Sequence, residues 1–293
     1  MRSLIYIGRR SKYADSVCGK NKSTEKIDKP GIILASFPRS GNTFLRNILL
    51  DVFGVYSWNN INVYNKGLKE FRKLEKLNAL NAITAPGERK LNKLKEQFAF
   101  AAIKTHEVPK NILPICNPDA KIIYLLRDGR DALVSMAHHR KDIIEPGSDF
   151  LKNLKEALWA PMGSYFGGWG ANVEQWTEIA DLVIYFEDLV NDPEKEIRRL
   201  QEVLDLPEPK MDRIPTFDSQ RNGGSHFGGK KRKRLSKEEQ DDFNQRFFRS
   251  GQSGGWKQDM PEEIQEKFWK KYGSVMTKMG YSRDGSFKKD TDD

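Results

Sequence analysis

Long apolar runs are missing from this chain of 293 residues. No stretch approaches the ~18 consecutive apolar residues that a membrane-spanning helix needs, so stable membrane insertion is not expected. Near the N-terminus only Leu4 to Ile7 is apolar, among Arg2, Arg9, Arg10 and Lys12. That is too short for the apolar stretch of a secretory signal, and a cytoplasmic location is the expectation. Cysteine is scarce as well. Cys18 and Cys116 are too few and too unpatterned for a disulfide framework or a zinc site, which leaves reduced thiols and no metal centre. No internal repeat is visible, which argues against a solenoid or an array.

What is present is charge and a moderate apolar content. Lys and Arg number 50 against 41 Asp and Glu, a formal net charge of +9, with a pI near 9.3 and a mean hydropathy of −0.69. A basic excess favours anionic partners without choosing among nucleotides, acidic substrates, nucleic acid and membrane surfaces. The length suits one large α/β domain. Residues 1–30 read as a polar N-terminal arm, 31–285 as a single domain and 286–293 as a polar tail.

Short apolar strands alternate with helix-like segments: strands at 31–36, 100–103, 122–126 and 182–186, and helices at about 129–140 and 193–204. Two helices are expected within 67–98, around Ala85-Pro86-Gly87. Residues 218–234 read as a long surface loop, followed by helices at about 237–247 and 261–279. The alternation predicts an α/β fold, a central parallel sheet flanked by helices, with a P-loop-like nucleotide-binding architecture.

The most informative stretch runs from Ile33 to Arg46. It reads as strand, tight loop and helix, so that backbone N–H groups open onto a helix N-terminus that attracts anions. Arg39 and Arg46 add positive charge, and Ser40 and Thr43 add hydroxyls. The triphosphate-binding loop Gly-x-x-x-x-Gly-Lys-Ser/Thr is not formed, because Asn42 stands where the lysine belongs and Ser36 where the first glycine belongs. A nucleotide with a different anionic end is implied.

Three further segments bear chemistry. Lys104-Thr105-His106 follows an apolar run, where a neutral imidazole could take a proton from an acceptor hydroxyl and Lys104 disfavours the imidazolium. Arg127 ends the 122–126 strand and Ser135 lies two turns into the next helix, a fork and a hydroxyl suited to a terminal phosphate; the alternative is an Arg127–Asp131 pair with Ser135 facing solvent or core. The glycines of the segment Arg249 to Lys257 allow backbone N–H groups to approach a phosphate. His138-His139 is not a metal pair, because adjacent positions do not share a helix face. The aromatic cluster Trp159, Tyr165, Phe166, Trp169 and Trp176 reads as core packing more readily than as an acceptor pocket.

Taken together, and in this order, the four segments resemble the sulfotransferases that use 3′-phosphoadenosine 5′-phosphosulfate (PAPS). Phe37 to Phe44 is similar to that family's 5′-phosphosulfate loop, Lys104-Thr105-His106 to its lysine-threonine-histidine element, and Arg127 to Ser135 to its 3′-phosphate element. Arg249 to Lys257 is similar to its closing Arg-Lys-Gly-x-x-Gly-x-Trp-Lys pattern, with Ser250 for the lysine. Gly168-Trp169 and Phe186-Glu187-Asp188-Leu189 also occur in the expected order. The resemblance implies His106 as base, with Lys104 and Arg39 stabilising charge on the transferring group. It places Ser40, Gly41, Asn42 and Thr43 on the 5′-phosphosulfate, Phe44 and Phe217 on adenine, and Arg127, Ser135, Arg249, Ser250 and Gly251 around the 3′-phosphate. Arg39 replaces the lysine usual in the cytosolic members, and Phe186 replaces a tyrosine. The implied acceptor is a hydroxyl on a small molecule, glycan or peptide, or less readily an amine, with no nucleic-acid partner and no metal. Two other readings remain open on the residues alone: an atypical P-loop kinase with Thr43 on Mg²⁺, and a non-catalytic RNA- or membrane-binding protein built on the run Lys230-Lys231-Arg232-Lys233-Arg234.

Overall fold

Short strands rich in Ile, Leu and Val build the centre of the molecule. The computed structural model describes residues 29–159, 168–227, 235–249 and 251–288. Strands β1 (Ile32–Ser36), β2 (Ser57–Trp58), β3 (Ala102–Thr105), β4 (Lys121–Leu126) and β5 (Leu182–Tyr185) form one sheet in the order β2-β3-β1-β4-β5. Every pairing is parallel.

A parallel sheet survives only when both faces are covered, and the strands supply apolar side chains to both. Ile33 and Ala35 of β1, with Ile122, Tyr124 and Leu126 of β4, pack on one side against Leu133, Leu154, Trp169, Trp176 and Phe268. Ile32, Leu34, Ile123 and Leu125 pack on the other against Leu45, Ile48, Leu49, Ile197 and Leu200. The period-two alternation of a strand thus feeds two cores. The helices that carry the partners are α1 (Asn42–Phe53), α4 (Gly129–His139), α5 (Phe150–Trp159), α6 (Trp169–Thr177), α7 (Pro193–Leu204) and α9 (Glu262–Lys278); α2 (Ile61–Ala79), α3 (Ala85–Phe98) and α8 (Lys237–Phe247) lie beyond them. A third cluster joins Leu68, Phe71 and Leu74 of α2 to Leu91, Leu94 and Phe98 of α3 around Trp58.

The expected α/β order is observed, with informative shifts. Strand β3 covers 102–105 rather than 100–103, so Lys104 and Thr105 lie within the sheet, opposite Leu34 and Ala35. Pro86 and Gly87 do not separate two helices: Thr84 caps α3 by accepting from the Gly87 N–H at 3.3 Å, and Pro86 occupies the first turn, where its missing donor costs nothing. Residues 217–221 are helical turns rather than open loop, ending at a kink at Asn222 and Gly223; Thr216 and Ser219 form a reciprocal capping box that the loop reading overlooked. Trp169 and Trp176 are core residues, whereas Trp159 is 54% exposed; Tyr165 and Phe166 lie outside the described residues, as do the arm to residue 28 and the 230–234 run. The boundary at 285 falls inside an antiparallel bridge between Tyr281 and Phe287. No helix among the described residues is long and apolar enough to cross a membrane.

The chain runs β1, β2, β3 to one side of the sheet and then returns to add β4 and β5 on the other. The strand order therefore reverses at β1. In an open parallel sheet that reversal opens a crevice at the carboxyl ends of the central strands, where ligands bind.

Candidate active site

Three strands deliver their following residues into this crevice: β1 the 37–41 loop, β3 His106, and β4 Arg127. The first loop turns sharply, with Arg39 at φ 66° and Gly41 at φ 93°. A side chain at Gly41 would also meet the Phe186 ring, its Cβ 2.4 Å from Cδ2, so this position needs glycine for both backbone and space. Gly41 caps α1, and no side chain among the described residues caps that end. The leading amides of the helix thus remain available to an anion.

His106 has a defined tautomer. Its Nδ1 lies 2.8 Å from the Ser36 carbonyl oxygen, which only accepts, so Nδ1 carries the proton and the neutral ring has its lone pair on Nε2. The Asn172 amide holds the His106 carbonyl at 3.3 Å, and Trp176 Nε1 donates to the Glu107 carbonyl at 2.9 Å. Burial, followed by Lys104, pushes the imidazole down to about 3, so it is neutral across the physiological range. Burial, followed by Arg46, likewise pushes the Lys104 ammonium down to about 7.

On the other side of the crevice Arg39 donates through Nε to Ser135 Oγ at 3.1 Å and through Nη2 to the Phe247 carbonyl at 2.9 Å, with its guanidinium 4.7 Å from the Phe247 ring. Burial and the neighbouring Arg127 and Arg249 lower it to about 10. Arg127 donates to the Arg39 carbonyl at 3.0 Å and to the Gln252 carbonyl at 2.9 Å, and lies over Phe186 at 4.5 Å. The alternative Arg127–Asp131 pair is not what forms, since Asp131 accepts from the Gly254 and Trp256 N–H groups at 2.7 and 3.0 Å. It anchors the glycine-rich segment instead, a role its sequence position did not reveal. Arg249 pairs with Asp259 at 2.8 Å, and Asp259 also meets His138 at 3.1 Å. Ser250 lies outside the described residues.

Phe44 and Phe217 stack on each other, centroids 4.3 Å apart and planes 22° from parallel. Thr43 lies in the first turn of α1. Asn42 turns inward, donating to Ser36 Oγ at 3.0 Å. Arg46 departs from the sequence expectation. Its side chain leaves the loop and binds Ser57 and Asn59, at 2.7 and 2.8 Å, below the Phe227 ring at 3.8 Å. It therefore adds no direct contact to the phosphate cradle.

Three buried polar atoms converge here without a partner among the described residues: Ser40 Oγ, Asn42 Oδ1 and Arg127 Nε. Buried donors and acceptors are normally paired; Ser40 Oγ and Arg127 Nε are donors that fit an anionic nucleotide such as PAPS, whereas Asn42 Oδ1 only accepts and cannot bond its phosphates. A cavity of about 550 Å³ lies along the glycine-rich segment, lined by Gly251 and Gln252 and, facing them, by Asp128, Asp131, Glu187 and Tyr281. Its carboxylates already serve Arg130, loop amides and the Tyr281 hydroxyl. Their charge has the wrong sign for phosphate.

An open parallel sheet whose first strand runs through a glycine turn into a helix at the switch point is a P-loop-like nucleotide-binding fold. The sequence pattern of the sulfotransferase domain family matches residues 29–280. Rat sulfotransferase 1 family member D1 is 27% identical over 265 residues, covering 84% of this chain and 83% of that protein. Mouse sulfotransferase SULT7A1, solved with 3′-phosphoadenosine 5′-phosphate (PAP), superposes with a TM-score of 0.57 at 18% identity over 87% of this chain and 89% of the other. Retinol dehydratase, solved with androsterone and PAP, gives 0.52 at 18% over 98% and 88%. The chain belongs to the sulfotransferase domain family. It is a PAPS-dependent sulfotransferase, and neither the kinase reading nor the RNA- or membrane-binding reading finds support.

Proposed function

We propose that this chain moves the sulfuryl group of PAPS to a hydroxyl of a small-molecule acceptor, with His106 as general base. The observation that carries the reading is the His106–Ser36 hydrogen bond, which leaves the lone pair on Nε2, in the crevice where the orphaned phosphate-binding atoms converge. When bound, PAPS supplies the sulfuryl group and a phosphate leaving group. His106 takes the acceptor proton at Nε2 as the new O–S bond forms. Lys104 and Arg39 offset the negative charge on the transferring group and on the leaving oxygen. Ser40, Gly41, Asn42 and Thr43 hold the 5′ end, Phe44 and Phe217 flank adenine once their mutual stack parts to admit it, and Arg127, Ser135, Arg249, Ser250 and Gly251 are assigned to the 3′-phosphate. Preorganised cations do here what a metal does in phosphoryl transfer. A basicity near 3 is low for a base; the anionic donor opposes the field of Lys104 and raises it. A small hydroxyl compound is supported by the likeness to retinol dehydratase, whose structure holds androsterone.

Calorimetric titration with PAP and with ADP, in the absence of metal, tests the nucleotide site. PAP is expected to bind at least tenfold more tightly, because a 3′-phosphate adds charge-assisted hydrogen bonds worth about 1.5–3 kcal/mol each. Equal affinities would remove the 3′-phosphate role from Arg127 and Ser135.

The second expectation concerns pH. Lys104 is lowered to about 7, so its ammonium form is present below that value and lost as pH rises through it. Since kcat/KM reports the free enzyme, it should decline above about pH 7, whereas the limb in kcat moves to higher pH once the anionic donor is bound. Lys104→Arg should abolish the limb near 7. Superimposable profiles for the two proteins would show that Lys104 is not the titrating group.

A further inference from the structure

One carboxylate oxygen joins a histidine of α4 to the arginine that follows α8. Asp259 Oδ2 accepts from Arg249 at 2.8 Å and from His138 Nε2 at 3.1 Å. An ionised carboxylate only accepts, so Nε2 carries the proton and the neutral ring has its lone pair on Nδ1. Nδ1 faces Asp142, in the turn after α4, at 3.9 Å from Oδ2. The ring itself packs on Phe150 of α5, centroids 4.4 Å apart. The charges acting on this imidazole are therefore Arg249, Asp259 and Asp142. Burial, followed by Arg249, holds it below its ordinary value against the pull of the two carboxylates.

The trio borders the arginine side of the crevice. His138 follows Ser135 by three positions on α4, and residues three apart share a helix face. Ser135 Oγ is the atom to which Arg39 Nε donates, at 3.1 Å. Arg39 in turn feels the charges of both Arg127 and Arg249, so three guanidiniums converge. Arg39 and Arg127 are held by hydroxyl and carbonyl oxygens, whereas Arg249 is neutralised by Asp259. An anion arriving at Arg249 cancels the field that opposes the imidazolium. Burial alone then disfavours it, and a carboxylate at each ring nitrogen favours it. No segment of the chain has to move.

We propose that His138 is a specificity-determining residue of the nucleotide site: it takes up a proton from solvent at Nδ1 as the 3′-phosphate docks against Arg249, with Asp259 coupling the two. The inference rests on the assignment of the 3′-phosphate to Arg127, Ser135 and Arg249, and adds a residue that acts through Arg249. Linkage fixes the sign. A ligand that raises a group's proton affinity binds more tightly as pH falls into that group's range. The phosphate opposes this weakly, because its own second ionisation lies at about 6. His139, pushed down to about 4 by burial and Arg39, titrates below the range that matters here. Lys104 answers the 5′-phosphate, and so responds to nucleotides with and without the 3′-phosphate.

The test is calorimetry of the full chain with PAP and with adenosine 5′-monophosphate (AMP), which differs only in lacking the 3′-phosphate. For wild-type protein the ratio of PAP to AMP affinity should rise several-fold between about pH 8 and about pH 6.5, and by up to about tenfold if imidazole basicity gains tenfold. Near the lower pH, PAP should take up more protons than AMP, read from the dependence of the heat on the ionisation enthalpy of the buffer. His138→Gln keeps a donor for Asp259 but cannot titrate. It should bind AMP as wild type does, with a ratio that no longer rises and no extra proton uptake for PAP. A wild-type ratio that stays flat or falls toward the lower pH overturns the proposal without recourse to any variant. A His138→Gln protein that keeps the rise also overturns it, assigning the proton to another group. Equal affinities for PAP and AMP at both pH values remove the 3′-phosphate reading and this one together, whereas the first two outcomes leave that reading intact.

Discussion

Replacing His106 with alanine is expected to lower kcat by about 10²–10⁴ while leaving PAP affinity within a few fold of wild type. The 2.8 Å hydrogen bond from Nδ1 to the Ser36 carbonyl sets the tautomer that puts the lone pair on Nε2, with Ser36 Oγ also 3.2 Å from Nδ1, and alanine removes the proton acceptor without touching the loop amides or the Arg127 side. The split between kcat and binding matters more than the size of the loss. A structural histidine would lower stability or affinity along with turnover. Because His106 stays neutral above about pH 3, no acid limb near pH 6.5 should appear in the wild-type kcat/KM profile. His106→Ala with turnover equal to wild type would remove the base assignment.

Arg127→Ala is expected to weaken PAP binding on the order of 10²–10³-fold, the effect of truncating one partner of a buried charged pair, and to change ADP binding far less. Arg127 does two things in the free protein. Its guanidinium joins the Arg39 carbonyl to the Gln252 carbonyl, closing the glycine-rich segment onto the first loop, and its Nε remains orphaned toward an anion. Loss of the bridging role alone would weaken both nucleotides alike. A selective loss for the one with a 3′-phosphate, measured by paired titrations, isolates the charge-recognition role, and parallel losses would leave Arg127 as a strut.

The α/β class, the positions of β1, β4 and β5, and most of the helices could be read from the chain because short-range rules produce them. Alternating apolar residues from Ile32 to Ser36 feed two cores, and Asp192 before Pro193 starts α7 by capping the Lys195 N–H at 3.2 Å. The open helix start at residues 41–44 is local for the same reason: a glycine at positive φ followed by a helix exposes amides whatever surrounds it. Strand β2 was not legible. Two residues carry no periodicity, and Ser57–Trp58 is a strand only because β3 lies alongside it.

Which side chains meet was decided by contacts far apart in sequence. Arg46 looked like part of the phosphate loop, but its fork is better satisfied by Ser57 and Asn59 beneath Phe227, a site that exists only once β2 pairs. Arg39 reaches a carbonyl 208 residues away. Asp131, read as a possible partner of Arg127, holds backbone amides 123 and 125 residues further on. Gln220 sat in what read as an open loop, yet it is fully buried in the fold. The sequence by itself determined the family and the α/β nucleotide-binding class, because the strand–loop–helix alternation and the ordered motifs are local patterns of residue types. Only the tertiary structure decided the tautomer of His106, the direction of each arginine and the burial of Gln220, because these depend on which distant donor, acceptor or ring the folded sheet brings within about 3–5 Å.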